Sequence, residues 1–194
     1  MILKIRSTGD PVLRSKARPL QAEEILKSDT QTLIQAMQET MRDAPGVGLA
    51  APQVGIPLQI AVIEDREEYL KDLTKEMLAD RERKPVAFEV IINPVLTLES
   101  PPELEFFEGC LSLPGLVAVV ARARKVKVEC FDAQGKPKVI RASGWHARIL
   151  QHEIDHLAGT LDIDRMRSRT LCSLDNFTRH WKGKSIAEVQ RLLH

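Results

Sequence analysis

The run His152-Glu153-Ile154-Asp155-His156, an HExxH sequence, constrains the fold more than any other feature of the chain. Residues four apart lie on one face of an α-helix, so a helical segment would let both imidazoles bind one divalent metal ion. Glu153 could then act as a base on a bound water. Apolar residues recur at helical spacing before the motif, Ser143 can cap the helix and Gly159 can end it. We therefore predict a metal-binding helix over 144–158.

The rest of the chain mixes the periodicities of helices and strands. Four apolar residues at helical spacing predict an amphipathic helix over 29–43, with Ser28 and Gln31 as a capping box. Three glycines and a proline within 46–55 predict a loop. Strands are predicted over 58–63, 86–92, 95–98, 104–107, 116–121 and 126–131, the last paired with 139–140 through a turn at 132–135. This pattern predicts an α+β fold in which antiparallel β-sheets pack around the central metal-binding helix.

Length and composition limit the classes of protein that the chain can form. With 194 residues, 43% of them hydrophobic and 28% charged, it is predicted to be one globular domain over 1–194. The net charge of +1 argues against DNA or RNA as the main partner. No apolar run is long enough to cross a bilayer, and Lys4 and Arg6 interrupt the N-terminal apolar residues. Neither a membrane segment nor export is therefore expected.

Two segments differ in composition from the rest. Residues 66–84 are highly charged, with apolar residues at helical spacing, and are predicted to form a short surface helix or an ordered insertion. Residues 168–194 form a basic C-terminal tail, since seven Lys or Arg stand against only Asp175 and Glu188 between 165 and 194. An amphipathic helix is predicted over 185–193. The tail is either an ordinary solvated surface or a docking face for an anionic partner such as ribosomal RNA.

A catalytic metal site of this type needs a third protein ligand besides the two histidines. Cys110 follows Glu108 and Gly109 at the end of a predicted strand, where a turn could direct a thiolate to the helix. A lone cysteine is equally compatible with a buried packing role. Three cysteines cannot form an even disulfide framework, and Cys130 and Cys172 are interpreted as packing residues.

A second choice of third ligand is Asp162. Residues 152–162 also fit the pattern HExxHxxGxxD, which resembles the metal site of metzincin-like proteases with aspartate in place of the last histidine. Such proteases need a later Met-turn. Met166 follows the motif too closely to supply one, so this alternative is disfavoured.

Three segments together resemble the peptide deformylase family. They are Gly46-Val47-Gly48-Leu49-Ala50-Ala51-Pro52-Gln53, Glu108-Gly109-Cys110-Leu111-Ser112 and Gln151-His152-Glu153-Ile154-Asp155-His156, in the order of the family's three motifs. The resemblance extends over most of the chain, from Thr8 to Met166. It implies that Cys110, His152 and His156 are the metal ligands. It also implies a reaction that removes the formyl group from the N-formylmethionine of a nascent polypeptide and releases formate.

The resemblance also implies roles for individual residues. Glu153 would be the general base and then the general acid, while the Gln53 amide and the Leu111 backbone N–H would stabilise the oxyanion. Asp155 faces away from the metal and is expected either to support a metal ligand or to pair with an arginine. Substrate contacts are expected from the first motif, from the residues before Cys110 and from the helix before His152, that is, from Gly46, Val47, Gly48, Glu108, Gly109, Trp145 and Ile149. A core position is an equally good interpretation of Trp145, and the glycines are also compatible with a tight turn alone.

Cofactor and cellular context follow from the same resemblance. Fe(II) is expected first, and one thiolate with two imidazoles also suits Zn(II), Ni(II) or Co(II). The expected location is the bacterial cytoplasm or, as an alternative, an organelle matrix that holds a mature form. The basic tail is expected to contact the ribosome. A non-catalytic, metal-dependent peptide-binding module is the alternative to an enzyme, and the presence of Glu153 argues against it.

Overall fold

The computed structural model describes residues 1–193 and arranges eight strands in two antiparallel sheets. The strands are β1 Gly48–Ala50, β2 Ile60–Asp65, β3 Val86–Leu98, β4 Leu104–Gly109, β5 Leu116–Arg122, β6 Lys125–Phe131, β7 Pro137–Ser143 and β8 Cys172–Ser173. The larger sheet has the order β1-β2-β3-β6-β7, and the smaller has the order β4-β5-β8.

Six α-helices accompany these sheets in the described chain. They are α1 Ala22–Ile25, α2 Ser28–Asp43, α3 Lys75–Asp80, α4 Gly144–Leu157, α5 Leu174–Asn176 and α6 Ile186–Leu193. The metal-binding helix predicted over 144–158 is α4, and the predicted α+β class is confirmed. None of the described helices has both the length and the apolar character needed to cross a membrane.

The two long helices pack on opposite faces of the larger sheet. Val62 of β2 packs with Met37 and Met41 of α2. The next residue, Ile63, belongs to the apolar cluster that contains Leu150 of α4. Because successive side chains of a strand point to opposite faces, β2 is buried on both sides and α4 is enclosed against the sheet.

The glycine-rich segment 46–55 is more regular than the predicted loop. Gly48–Ala50 form β1, which pairs with β2 at the edge of the larger sheet. Ala51–Val54 form a 3-10 turn that ends at Gly55, where φ is 87°. The loop prediction was wrong here because glycine and proline exclude a long helix but permit a short edge strand and a tight turn.

The strands predicted over 86–92 and 95–98 are a single strand, β3. Its register shifts between Ile92 and Val95, where Asn93 has a φ of 51° and Pro94 lacks an amide hydrogen. The Asn93 side chain donates to Leu20 O at 2.8 Å and accepts from Leu20 N at 2.9 Å. Asn93 and Leu20 are 73 residues apart in sequence. Their contacts allow β3 to continue past Asn93 and Pro94, where local propensity alone would end the strand.

The capping box predicted for α2 is absent. The helix begins at Ser28 with Lys27 in the N-cap position, and Lys27 makes no side-chain capping bond. The Gln31 amide donates instead to Ile25 O at 2.7 Å and to Ala133 O at 2.9 Å. Gln31 therefore links α2 to α1 and to the turn between β6 and β7.

The predicted cap of α4 is also different. Ser143 occupies the N-cap position, but its side chain makes no capping hydrogen bond. Gly144 N donates to Arg124 O at 2.9 Å. The first turn of α4 is thus satisfied by backbone carbonyls from neighbouring segments, which a local sequence pattern cannot reveal.

Residues 66–84 form two short elements rather than one helix. Glu67–Leu70 make a 3-10 turn and Lys75–Asp80 make α3. Arg83 donates to both carboxylate oxygens of Asp65 at 2.7 and 2.8 Å, and Asp65 is fully buried. This ion pair therefore joins the last part of the 66–84 segment to the end of β2, where the segment begins.

The tail continues as β8, α5, a π-helical turn at Phe177–Trp181 and α6. Phe177 packs against Phe107 of β4 with ring centroids 4.9 Å apart, and Val189 of α6 is completely buried. The helix predicted over 185–193 corresponds to α6. His194, the last residue of the predicted tail, lies outside the described residues.

Candidate metal centre

Cys110, His152 and His156 bring three metal-binding atoms together. Cys110 Sγ lies 3.3 Å from His156 Nε2, which lies 3.2 Å from His152 Nε2, and the three residues offer donor atoms within 4.8 Å of one another. Ligand bonds of about 2.0 to 2.3 Å at tetrahedral angles separate their donor atoms by about 3.3 to 3.6 Å. The observed spacing therefore fits one divalent ion held by a thiolate and two imidazoles.

Cys110 is directed to α4 by the turn that follows β4. Leu113 N donates to Cys110 O at 2.9 Å and closes this turn. Ser112 N donates to Cys110 Sγ at 3.4 Å, and Gln53 Nε2 lies 3.6 Å from the same sulfur. These two N–H donors help to fix the direction of the sulfur atom, as hydrogen bonds to a ligand side chain do. The sequence pattern includes Ser112 in the second motif but does not predict this contact with the sulfur atom.

Glu108 orients His152. Glu108 Oε2 lies 3.0 Å from His152 Nδ1, so a proton on Nδ1 leaves Nε2 free to bind an ion. The same carboxylate accepts bonds from Arg122 at 3.0 and 2.9 Å and from Arg148 at 2.5 Å. Burial alone would raise the pKa of Glu108, but His152 and Arg122 hold it well below its usual value. The Glu108 side chain faces His152 and two arginines, and the substrate contact predicted for Glu108 stays a prediction.

The buried charges behind His152 continue to the surface. Arg122 Nη1 donates to Asp155 Oδ2 at 2.5 Å, and Asp155 accepts two bonds from Arg165 at 2.6 and 2.7 Å. The Arg122 side chain is 3% exposed, whereas that of Arg165 is 48% exposed. Asp155 pairs with arginine as expected, but Arg122 and Arg148 were not foreseen. Arg148 lies among the regularly spaced apolar residues of α4, and this is the one feature of the sequence that indicates a buried charge there.

Glu153 lines the same cavity as Cys110 and His152 and is almost completely buried. It is 4% exposed, and its Oε2 atom is buried without a hydrogen-bond partner among residues 1–193. Burial raises the pKa of this carboxyl to about 7. A Cβ atom added to Gly48 would lie 2.1 Å from Glu153 Oε1. Only glycine at this position of β1 therefore leaves room for the carboxylate.

The Gln53 amide is held in one orientation. Gln53 Oε1 accepts from Ala50 N at 2.8 Å, and Nε2 donates to Ser112 Oγ at 3.2 Å. Because a backbone N–H can only donate, the first bond identifies which end of the amide carries oxygen. The NH2 group therefore points to the side where Cys110 and Ser112 lie.

A cavity of about 400 Å³ opens beside these residues. All but one of the predicted site residues line it: Gly46, Val47, Gly48, Gln53, Glu108, Gly109, Cys110, Leu111, Trp145, Ile149, His152 and Glu153. The exception is His156, which is 1% exposed. Leu174 of the tail also lines the cavity, a contribution that the sequence did not indicate.

The alternative ligand Asp162 is not part of this group. The donor set gathered around the two histidines contains Cys110, and among the described residues Asp162 joins no such set. Asp162 Oδ1 accepts from Ile163 N at 3.0 Å, and burial raises the pKa of its carboxyl. The metzincin-like arrangement is therefore excluded by the geometry.

The other two cysteines lie away from the centre. Cys130 is buried in the apolar cluster between α4 and the larger sheet, and burial raises the pKa of its thiol. Cys172 is half-buried in β8. Both positions agree with the packing roles that the sequence predicted.

Comparison with known proteins places the chain in a family. The family model described as polypeptide deformylase matches residues 2–171. Peptide deformylase 1A, chloroplastic/mitochondrial, of Arabidopsis thaliana is 49% identical over 89% of this chain, and peptide deformylase 1A, chloroplastic, of Solanum lycopersicum is 48% identical over 89%. The aligned region spans 64% and 62% of those two relatives, which is less than two thirds of their length.

A solved structure shares the fold. The Met-Ala-Ser-bound class I type b peptide deformylase from Acinetobacter baumannii has a TM-score of 0.76 and 32% sequence identity, covering 86% of this chain and 99% of that chain. By sequence, fold and the donor set that it carries, this chain belongs to the polypeptide deformylase family.

Proposed function

We propose that this protein is a metal-dependent hydrolase that removes the formyl group from the N-terminal formylmethionine of nascent polypeptides and releases formate. The observation that carries the proposal is the position of Glu153, which follows His152 on α4 and lines the same cavity as Cys110 and His152. Its Oε2 atom is buried without a hydrogen-bond partner among residues 1–193. A passive metal-dependent peptide-binding module would have no use for this costly buried carboxyl.

Glu153 has the position of a general base and acid. A divalent ion bound here would supply Lewis acidity, lowering the pKa of a water molecule and polarising a carbonyl oxygen. The Glu153 carboxylate accepts the proton that this water loses and then donates it to the nitrogen of the leaving amine. Gly48 leaves the room that this carboxylate occupies, because any larger side chain there would overlap it.

Two donors are assigned to the oxyanion that forms when the formyl carbon becomes tetrahedral. One is the NH2 group of Gln53, whose orientation is set by Ala50 N and Ser112 Oγ. The other is the backbone N–H of Leu111, next to Cys110 in the same turn. Preorganised donors of this kind contribute most when water is excluded, and Gln53 is 1% exposed.

The peptide substrate is proposed to bind along β1. This strand is at the edge of the larger sheet, with β2 as its only partner in the strand order. Gly46, Val47 and Gly48 line the cavity there. An extended backbone can pair with an edge strand through main-chain hydrogen bonds, which tolerates varied sequence. The Acinetobacter deformylase structure also contains a bound short peptide that begins with methionine, Met-Ala-Ser.

The methionine side chain is assigned to the end of the cavity formed by α4. Ile149 and Trp145 precede His152 by three and seven residues, so they lie on the same face of the helix as the ligand. Gly109 lines the cavity on the β4 side. We assign Glu108 to holding His152 rather than to contacting substrate, because its carboxylate is already fully hydrogen-bonded.

The metal is proposed to be Fe(II), with Zn(II), Ni(II) and Co(II) as ions that the same donors accept. One thiolate and two imidazoles do not distinguish these ions by chemistry alone. A thiolate-bound ferrous ion would make activity sensitive to oxygen, because both the iron and Cys110 can be oxidised. Metal analysis of protein purified with and without oxygen, matched to activity, tests this assignment.

The test of the proposed activity is formate release from a formyl-Met tripeptide, measured on protein purified without oxygen. Cys110→Ala is the variant that removes a ligand, and Cys130→Ala is its matched control at a buried cysteine outside the centre. We expect formate from the wild type and from Cys130→Ala, none from Cys110→Ala, and no cleavage of internal peptide bonds. Internal cleavage without formate would contradict the proposal.

The basic tail is proposed to bind the ribosome, in bacterial cytoplasm or, alternatively, in an organelle matrix. Arg179, Lys182 and Lys184 are exposed and available to an anionic surface. Because Val189 is buried, deleting the tail would disturb the fold, so charge reversal of these three residues is the better test. Co-sedimentation with ribosomes should weaken in that variant. It should not change when exposed Lys4, Lys71 and Lys136 are reversed; equal binding by all would contradict the proposal.

A further inference from the structure

The 66–84 segment is locked onto the start of the metal-binding helix. Trp145 N donates to Arg81 O at 2.8 Å. Gly144 has a φ of 58°, and a Cβ atom there would lie 2.4 Å from Glu82 Cβ and 2.5 Å from Arg81 O. The two backbones therefore approach so closely that only glycine fits at residue 144. Asp65 and Arg83 hold the segment in place from the other side through their buried ion pair.

Arg81 uses its guanidinium in an unusual way. Among residues 1–193 no carboxylate lies within ion-pair distance of it, although it is only partly exposed. Its Cζ atom lies instead 5.0 Å from the Trp145 ring centroid and 5.5 Å from the Phe106 ring centroid. Burial, with the charge of Arg83 added to it, lowers the pKa of Arg81. Aromatic faces stabilise a desolvated cation. Arg83 and Arg148 also face the Trp145 ring, with Cζ atoms 5.1 and 5.8 Å from its centroid, and Arg81 is the nearest of the three.

Trp145 is also part of the cavity wall. It precedes His152 by seven residues, a rise of about 10 Å along the helix. From a formyl carbon at the metal centre, an extended methionine side chain also reaches about 8 to 10 Å, counting its terminal methyl radius. Measured along α4, the Trp145 position therefore lies at the distance that an unbranched side chain of this length would reach.

From this arrangement we propose that Arg81 is a positioning residue for substrate specificity, because it holds the Trp145 ring as the floor of the pocket that receives the first side chain. The inference rests on the proposed deformylase function and extends it. The length of side chain that the enzyme accepts would then be set by the 66–84 segment, although this segment contributes no residue to the lining of the cavity.

The test replaces Arg81 with Ala and with Lys and measures formate release from formyl peptides that begin with Met, norleucine, Ala or Phe. For Arg81→Ala we expect kcat/KM for the formyl-Met peptide to fall about tenfold, mainly because KM rises. The value for the formyl-Ala peptide should change less. The ratio of the two kcat/KM values, Met over Ala, should therefore fall several-fold. Arg81→Lys should restore part of the preference because it keeps the cation. Arg66→Ala is the matched control, since Arg66 faces Tyr69 in the same segment and does not contact α4.

A second readout does not depend on activity. The chain has two tryptophans, so a Trp181→Phe background leaves Trp145 as the single tryptophan, and selective excitation of tryptophan excludes emission from Tyr69. Arg81→Ala should shift the emission of Trp145 and increase its quenching by acrylamide, and Arg66→Ala should do neither. Equal losses of kcat/KM for all four peptides, or unchanged Trp145 fluorescence, would overturn the inference. A wild type that releases no formate would instead contradict the proposed function, and the fluorescence would still report on the Arg81 contact.

Discussion

The two faces of α4 are held by opposite kinds of interaction. On the sheet side, Ala147 and Leu150 are completely buried in an apolar cluster with strands of the larger sheet. On the other side, two buried charges of α4 contact β5 of the smaller sheet: Arg148 donates to Val120 O, and Asp155 pairs with Arg122. Apolar contacts stabilise the helix without demanding one geometry, whereas each buried charge requires a partner at a defined distance.

This difference indicates what each face contributes. The apolar face supplies most of the stabilisation, since burial of hydrocarbon is favourable wherever it fits well. The charged face is a poor source of stability, because desolvation offsets much of the attraction between ions. The charged face instead orients His152, because Glu108 is held by this network and makes a hydrogen bond to the His152 ring.

The largest effect is expected from Glu153→Gln, which removes the acid-base group and keeps its shape. Formate release should fall by about 100- to 10,000-fold, in the range found for general acid-base groups. Bound metal should be retained, because the three ligands are untouched, and stability should not fall, because the substitution removes a buried ionisable group. Metal analysis beside single-turnover kinetics checks both parts. Activity within a few-fold of wild type would refute the general-base assignment.

Arg122→Ala tests the charged face directly. It leaves Glu108 and Asp155 without their shared buried partner, and loss of one member of a buried ion network costs about 3 to 5 kcal/mol. Urea unfolding should show this loss, and a chelator should extract the metal faster because His152 is less firmly held. Arg122→Lys keeps the charge but cannot bridge two carboxylates with one planar group, so it should restore little. Wild-type chelator kinetics in Arg122→Ala would contradict the role given to this face.

Leu150→Ala tests the apolar face. Leu150 is fully buried, and truncation of such a leucine costs about 2 to 5 kcal/mol in free energy of unfolding. Metal extraction and kcat of the folded protein should change less than in Arg122→Ala, since no hydrogen bond to a ligand is lost. Leu192→Ala, at a leucine that is 55% exposed, is the control and should change stability by less than about 0.5 kcal/mol. A selective loss of metal in Leu150→Ala would remove the distinction between the faces.

The smallest effect is expected from Arg165→Ala, at the exposed end of the charge network. The Arg165 side chain is 48% exposed, and Asp155 keeps its bond to Arg122. The free energy of unfolding should fall by about 0 to 1 kcal/mol, and by less at about 1 M salt. Denaturant titrations at two salt concentrations measure this difference. A loss as large as that of Arg122→Ala would show that the network depends on its surface end.

Some elements could be predicted because their signals are local. The periodicity of α2 and α4 and the turn between β6 and β7 each depend on residues within one or two turns of chain. The boundaries that failed did so where distant contacts decide the outcome. The hydrogen bond from Asn93 to Leu20 allows β3 to continue, and Gln31 donates a hydrogen bond to Ala133 instead of forming the predicted cap.

The sequence by itself determined that two imidazoles and a carboxylate share α4, because the spacing of 152, 153 and 156 fixes their angles around a helix. Only the tertiary structure decided which third atom joins them. Cys110 is 46 residues from His156, and spacing alone could not choose between it and Asp162. The same holds for Glu108 behind His152, for Gln53 beside the sulfur and for Arg81 on Trp145. Each contact joins segments far apart in the chain, and only the packing of the two sheets around α4 brings those segments together.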